Sequence, residues 1–212
     1  MAITYPNFDY ELKYSAGNRT VAGADEAGRG PLAGPVTAAA VILPMGIEIE
    51  GLNDSKKLSE KEREELFEII TECAVDYSIV SIDNTVIDKI NILKATMLAF
   101  ETALNKMKAK PGMLLLDGNY SSITCVPVTT LIGGDSKSCS IAAASILAKV
   151  TRDRYMRNEA ASLYPGYQFG KHKGYATKLH IEKIREYGAC PLHRMSFLGR
   201  ILNNGATQDS LF

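Results

Sequence analysis

Apolar and polar positions alternate along this chain in blocks whose period changes, and each change marks a predicted element. Arg19 to Ala24 is short, apolar and β-prone, and Val36 to Leu43 is a second apolar run with β-branched Val36, Thr37, Val41 and Ile42. Ser59 opens S-E-K-E with Glu62 three residues on, a capping box that predicts a helix over 60–75. Tyr77 to Ile82 alternates as a strand, and Ile87, Ile90, Leu93, Leu98 and Leu104 place one long amphipathic helix over 85–108. Pro111-Gly112 stops it, Met113 to Leu116 reads as a buried strand ending on Asp117, and Thr124 to Thr130 reads as another strand. A turn at Gly133 to Lys137 leads into an alanine-rich helix over 138–159, whose small residues predict close packing on a sheet and whose basic second half is expected to be exposed. Gln168 to Gly174 reads as a polar, basic connection, Ala176 to Tyr187 as a helix, and residues 201–212 as a mobile tail. Alternating strands and helices predict an α/β fold with one domain over 1–200, in which residues 138–200 form a basic C-terminal helical segment.

The 212 residues are 46% hydrophobic, enough to bury a core in a single unit. No apolar run approaches the ~18 residues of a membrane span, and Asp9 and Glu11 stand where a secretory signal would be basic then apolar, so a soluble cytoplasmic protein without membrane contact is expected. Cys73, Cys125, Cys139 and Cys190 form no CxxC pair and read as reduced core thiols. The net charge of zero hides segregation: residues 149–200 hold 11 Lys+Arg against 4 Asp+Glu, an excess of seven that predicts either a phosphate-facing surface or a solvated helix face.

Between the first two strands lies DEAGRGPLAGPV at 25–36, an acidic pair running into a turn with three glycines and two prolines. An acidic pair is ordinarily a loop cap, because carboxylates at a buried strand end cost free energy unless something pairs with them. Asp117 and Asp135 change that reading, since each also sits at a predicted strand end beside glycine, where ligands collect in open α/β sheets. One cluster of Asp25, Glu26, Asp117 and Asp135 would repel itself without cations. All-oxygen donors suit Mg²⁺ or Mn²⁺ better than zinc, and two such ions ~3.5–4 Å apart serve phosphoryl transfer. A dinucleotide loop is disfavoured by the G-x-G-x-x-x-G spacing and by Pro31 and Pro35, GGDSKS lacks the spacing of a phosphate loop, and no G-x-S-x-G elbow supports a serine nucleophile. His172 and His193 read as phosphate contacts or structural hydrogen-bonders rather than bases.

DEAGRGPLAGPV, NDSKKLS at 53, DGN at 117, GDSK with SIAAASILAKVTRD from 134, YPGY and HKGYAT within 164–177, and HRMSF at 193 together resemble bacterial ribonuclease HII. The resemblance runs from Val21 to Phe197 and implies an RNase H-like fold, a mixed central sheet flanked by helices with a C-terminal helical segment. It implies an endonuclease of ribonucleotide excision repair that hydrolyses RNA in RNA/DNA hybrids and cuts 5′ of single ribonucleotides in duplex DNA, leaving 3′-hydroxyl and 5′-phosphate ends. The family's metal ligands fall on Asp25, Glu26, Asp117 and Asp135, its 2′-hydroxyl sensor on Gly28, Arg29 and Gly30, and its junction-sensing tyrosine on Tyr175. Lys56, Lys57, Lys137, Lys171 and Lys173 are expected backbone contacts, while Arg152 and Asp153 can equally form a structural ion pair. Gln208, Leu211 and Phe212 resemble the motif by which repair proteins dock on the sliding clamp, with an inert tail as the alternative reading. A non-catalytic hybrid-binding module is the competing function, ribonuclease HIII is disfavoured by the roughly twenty residues preceding the first motif, and a monomer is expected.

Overall fold

The computed structural model describes residues 5–17 and 19–203. A short helix absent from the sequence expectation, α1 (Asp9–Tyr14), precedes β1 (Val21–Ala27) and β2 (Val36–Ile42), the strands flanking the glycine-rich turn. Then come α2 (Glu60–Cys73), β3 (Asp76–Ile82), α3 (Asn84–Ile90), α4 (Ile92–Lys106), β4 (Met113–Asp117), β5 (Val128–Leu131) and α5 (Cys139–Tyr155). The capping box forms as expected: Ser59 Oγ accepts from Glu62 N, and Glu62 Oε2 accepts from Ser59 N at 2.7 Å. After a π-turn at Met156–Ala160, the chain continues through α6 (Ala161–Leu163), α7 (Phe169–His172), α8 (Lys178–Tyr187) and α9 (Gly199–Asn203).

The sheet order is β3-β2-β1-β4-β5. β1 pairs antiparallel with β2 and parallel with β4, β2 is antiparallel to β3, and β4 is parallel to β5, which makes the sheet mixed. Alternate side chains feed two cores. On one face Ala22, Ala24, Leu114 and Leu116 meet Met97, Phe100, Ala103 and Leu104 of α4. On the other, Ala39 and Val41 meet Leu66 and Ile70 of α2 and Ala143, Ile146 and Leu147 of α5. The small residues of α5 permit the close approach they predicted: a Cβ on Gly23 would lie 2.2 Å from the carbonyl carbon of Ser140.

Several expectations need correction. The helix expected over 85–108 is two, because Asn91 adopts φ +69, ending α3 while its side chain caps α4 through Lys94 N. The strand expected from Thr124 begins only at Val128, since Ile123 and Val126 fold back into the α4 core instead of pairing. The basic second half of the alanine-rich helix is not free: Arg154 pairs with Glu64 and Glu68, and Arg157 with Glu60 and Glu64, all on α2. Arg152 and Asp153 are not partners; Asp153 pairs with Lys149 at 2.7 Å, and Arg152 turns to main-chain carbonyls. Cys139 and Cys190 are buried as expected, whereas Cys125 is exposed. Ile201 to Asn203, expected within the tail, belong to α9, and the clamp motif at Gln208, Leu211 and Phe212 lies outside the described residues.

Candidate active site

The parallel register of β1 with β4 runs from Val21↔Met113 to Ala24↔Leu116, so Asp25 and Asp117 follow at one level on neighbouring strand ends. Both share parity with Gly23 and Leu115, which face α5, and so they leave the same face of the sheet. Asp117 Oδ1 accepts from Gly134 N at 2.7 Å, which holds the turn carrying buried Asp135 against the end of β4. Lys56 Nζ reaches Asp135 Oδ2 at 3.0 Å, and Arg29 Nη1 reaches Glu26 Oε1 at 3.2 Å. Two strand ends and one turn thus carry the four carboxylates: Asp25 and Glu26 on β1, Asp117 on β4 and Asp135 in the turn after β5.

Their electrostatics report that proximity. Burial holds the Asp25 carboxyl well above its ordinary range, with the charges of Glu26 and Asp117 adding to the effect. Burial also raises Glu26, against the opposing pull of Arg29, and raises Asp135, against that of Lys56. For Lys56 burial acts downward, but the bond and charge of Asp135 prevail and its pKa rises. Among the described residues no three His, Cys, Asp or Glu side chains close on a single point as a finished metal cage. What the site offers a cation is a set of carboxylate oxygens compensated by two side chains, Arg29 and the exposed Lys56. That donor chemistry fits a hard divalent ion.

A cavity of about 110 Å³ opens among Asp25, Glu26, Gly28, Lys56, Lys149 and Tyr175. Its floor contains Ser55 and Ser145, hydroxyl to hydroxyl at 2.8 Å, with Ser145 also bonding to Asp25 and opposing the rise in its pKa. Tyr175 is exposed, with Lys149 Nζ and Arg152 Cζ 5.8 and 5.7 Å from the ring centre. Lys57 and Lys171 are exposed, whereas the ammonium groups of Lys137 and Lys173 bond to the carbonyls of Ile132 and Gly170. Lys56 faces the carboxylates.

The glycine turn is held from beneath by two buried arginines that sequence reasoning did not single out for this task. Arg194, fully buried, donates to the carbonyls of Gly28, Arg29, Pro31, Gly34 and Pro35 at 2.7–3.0 Å. Arg152 donates to Pro35 O at 2.9 Å and to Ala33 O and Lys173 O at 3.1 Å. Burial, with the neighbouring Arg152 charge, brings the Arg194 pKa down to about 9, so it remains charged at neutral pH. The glycines divide the labour: a Cβ on Gly28 (φ +92) would lie 2.1 Å from Arg152 Nε, while one on Gly30 meets nothing within 4 Å. Gly28 thus admits the arginine from inside, and Gly30 leaves the outside of the turn open. The only sequence signal for Arg194 was an arginine with no acidic neighbour inside HRMSF.

His172, His180 and His193 form a buried cluster under the Tyr175 segment, so His172 and His193 are structural hydrogen-bonders and not phosphate contacts. Tautomers follow from the partners. His180 Nδ1–H donates to Tyr175 O at 2.9 Å, which leaves its Nε2 to accept from His193 Nε2–H at 3.0 Å. His193 Nδ1 then accepts from Cys190 N, as His172 Nδ1 accepts from Gly174 N.

The family model described as Ribonuclease HII matches residues 22–199, which span all of these elements. The chain belongs to the ribonuclease HII family. Ribonucleases HII are metal-dependent ribonucleases that act on RNA/DNA hybrids, so the chain is a hydrolase of that class and the non-catalytic reading is set aside. A ribonuclease HII from Endomicrobium trichonymphae is 56% identical over 185 residues, covering 87% of this chain and 88% of that one. In the solved complex of PCNA with RNase HII from Archaeoglobus fulgidus, the matching chain gives a TM-score of 0.67 at 29% identity, covering 83% of this chain and 94% of that one. Bst-RNase HIII solved with Mn²⁺ gives a TM-score of 0.67 at 20% identity over 91% of this chain and 71% of its own, a likeness of fold.

Proposed function

We propose that this ribonuclease HII hydrolyses the RNA strand of hybrids and also cuts 5′ of single ribonucleotides embedded in duplex DNA, leaving 3′-hydroxyl and 5′-phosphate ends. The observation that supports this reading is a cavity lined by Asp25, Glu26, Gly28 and Tyr175, that is, by members of the acidic pair and of both candidate sugar-reading elements. Asp25, Glu26, Asp117 and Asp135 would hold two Mg²⁺ or Mn²⁺ ions, while Lys56 and Arg29 exchange carboxylate oxygens for substrate. When bound, such ions activate a water and stabilise the leaving oxygen. The main chain of Gly28 to Gly30 approaches the minor groove, where the 2′-hydroxyl separates RNA from DNA. Tyr175 presses on the following sugar, where a second 2′-hydroxyl would collide. Lys57, Lys137, Lys171 and Lys173 contact phosphates from the surrounding surface.

The test is an end-labelled DNA duplex containing one ribonucleotide, incubated with Mg²⁺, with Mn²⁺ and with chelator. A single metal-dependent cut 5′ of that nucleotide is expected, and its absence from a preparation active on hybrid would overturn the reading. Residues 1–200 would act as one catalytic unit, monomeric and cytoplasmic; among the described residues no helix is long and apolar enough to cross a membrane. Gln208, Leu211 and Phe212 would dock on the sliding clamp, an idea supported by the archaeal complex with PCNA. Deleting residues 208–212 should abolish clamp binding without altering cleavage of short duplexes, and unchanged clamp affinity refutes the docking.

A further inference from the structure

We propose that Arg152 is a positioning residue that fixes the spacing between the glycine turn and Tyr175, and thereby the preference for a ribonucleotide followed by DNA over continuous RNA. The inference rests on the roles given to those two elements above. Arg152 is 1% exposed and among the described residues has no carboxylate partner; its donors go to Ala33 and Pro35 on the turn and to Lys173 on the Tyr175 segment. Among the described residues the Arg194 guanidinium, by contrast, bonds only carbonyls between Gly28 and Pro35. Arg152 therefore spans both elements, whereas Arg194 shapes one.

The corner that presents Tyr175 needs such a hold. Lys173 (φ +52) and Gly174 (φ +83) are consecutive left-handed residues, a conformation that disfavours lysine. The carbonyl of Lys173 takes its hydrogen bond from Arg152, and Gly174 packs so closely that a Cβ would lie 2.5 Å from Ala33 O. Leu32 N closes the seam by donating to Gly174 O at 2.8 Å. The same guanidinium stands 5.7 Å from the centre of the Tyr175 ring, and its Nε occupies the place a Gly28 side chain would take. A shift of Arg152 thus moves the ring relative to the turn.

The experiment compares kcat/KM on two duplexes of one sequence, DNA with a single ribonucleotide and a continuous RNA/DNA hybrid. Proteins are the wild type, Arg152→Lys, Arg152→Gln, Arg194→Lys, Tyr175→Ala and the double variant Arg152→Lys/Tyr175→Ala, each checked for folding. Arg152→Lys keeps the charge but loses the planar fork. The ratio of the two rate constants should fall roughly tenfold in both Arg152 variants, the scale of one lost charge-assisted bond. It should fall no further when Tyr175→Ala is added, while Arg194→Lys should slow both substrates alike. Equal losses on both substrates in the Arg152 variants, additive losses in the double variant, or failure of both Arg152 variants to fold would overturn the proposal. If Tyr175→Ala leaves the ratio at its wild-type value, the role assigned to Tyr175 falls and the proposal with it; if Tyr175→Ala lowers the ratio and Arg152→Lys does not, the proposal alone falls.

Discussion

Acidification should strike the histidine cluster before any other part of the Tyr175 support. His180 is fully buried, donates to Tyr175 O and accepts from His193, and burial brings its pKa down to about 4. Because the folded value lies below the ~6.5 of a free imidazole, the unfolded chain takes the proton first. The contribution is fully present above pH ~6.5 and is lost as pH falls through about 4. A depression of that size is worth roughly 3 kcal/mol. Asp25, Glu26 and Asp135 act in the opposite sense, since their raised values favour the fold while they stay protonated, so the wild-type curve alone mixes both effects. His180→Asn isolates the histidine: its amide can still donate to Tyr175 O but does not titrate. Urea unfolding followed by circular dichroism from pH 7.5 to 4.5, without divalent ions, is the assay. At pH 7.5 the variant should be less stable by about 1–3 kcal/mol, because the His193 N–H loses its acceptor. By pH 4.5 that gap should shrink by about 2 kcal/mol. Two curves that stay parallel would refute the tautomer chain and the buried neutral imidazole.

Asp117→Asn should abolish metal-dependent cleavage while hybrid affinity in a filter-binding titration stays within a few fold, since an amide oxygen can still accept from Gly134 N; a loss of folding would instead make the carboxylate structural. Arg194→Met removes the donor from five carbonyls, and breaking such a buried polar network should cost about 3–5 kcal/mol. In a chain of this size that lowers the thermal midpoint by roughly 10 °C. A calorimetric shift under 3 °C would show that the turn holds itself.

The sequence exposes what local chemistry decides and hides what distant partners decide. The capping box at Ser59, the strand stopping on Asp117 and the small residues packed on Gly23 are local patterns, and each appears in the fold as read. The long apolar period over 85–108 could not reveal the break at Asn91, because Ile87 of α3 and Ala95 of α4 still pack into one cluster with Val36 on either side of it. Nor could the positive excess over 149–200 reveal where it goes: Arg154 and Arg157 meet glutamates of α2 about ninety positions earlier, and Arg152 and Arg194 vanish into carbonyls. The carboxylates that end β1 and β4 were legible because each closes an apolar run; the two arginines beneath the glycine turn were not, because a carbonyl acceptor leaves no mark in the residue letters.

That choice of acceptor has a consequence for redesign. A grip on carbonyls is indifferent to side chains that point to solvent, so the exposed Arg29 and Gly30 can be exchanged for other residues without disturbing what Arg194 holds, whereas Gly28 and Gly34 have no room for a Cβ. It is intolerant of length, since removing one residue between Gly28 and Pro35 would put every later carbonyl out of step with its donor. A library that randomises the exposed positions 29 and 30 should return folded proteins, whereas one that varies the number of residues in the turn should return almost none.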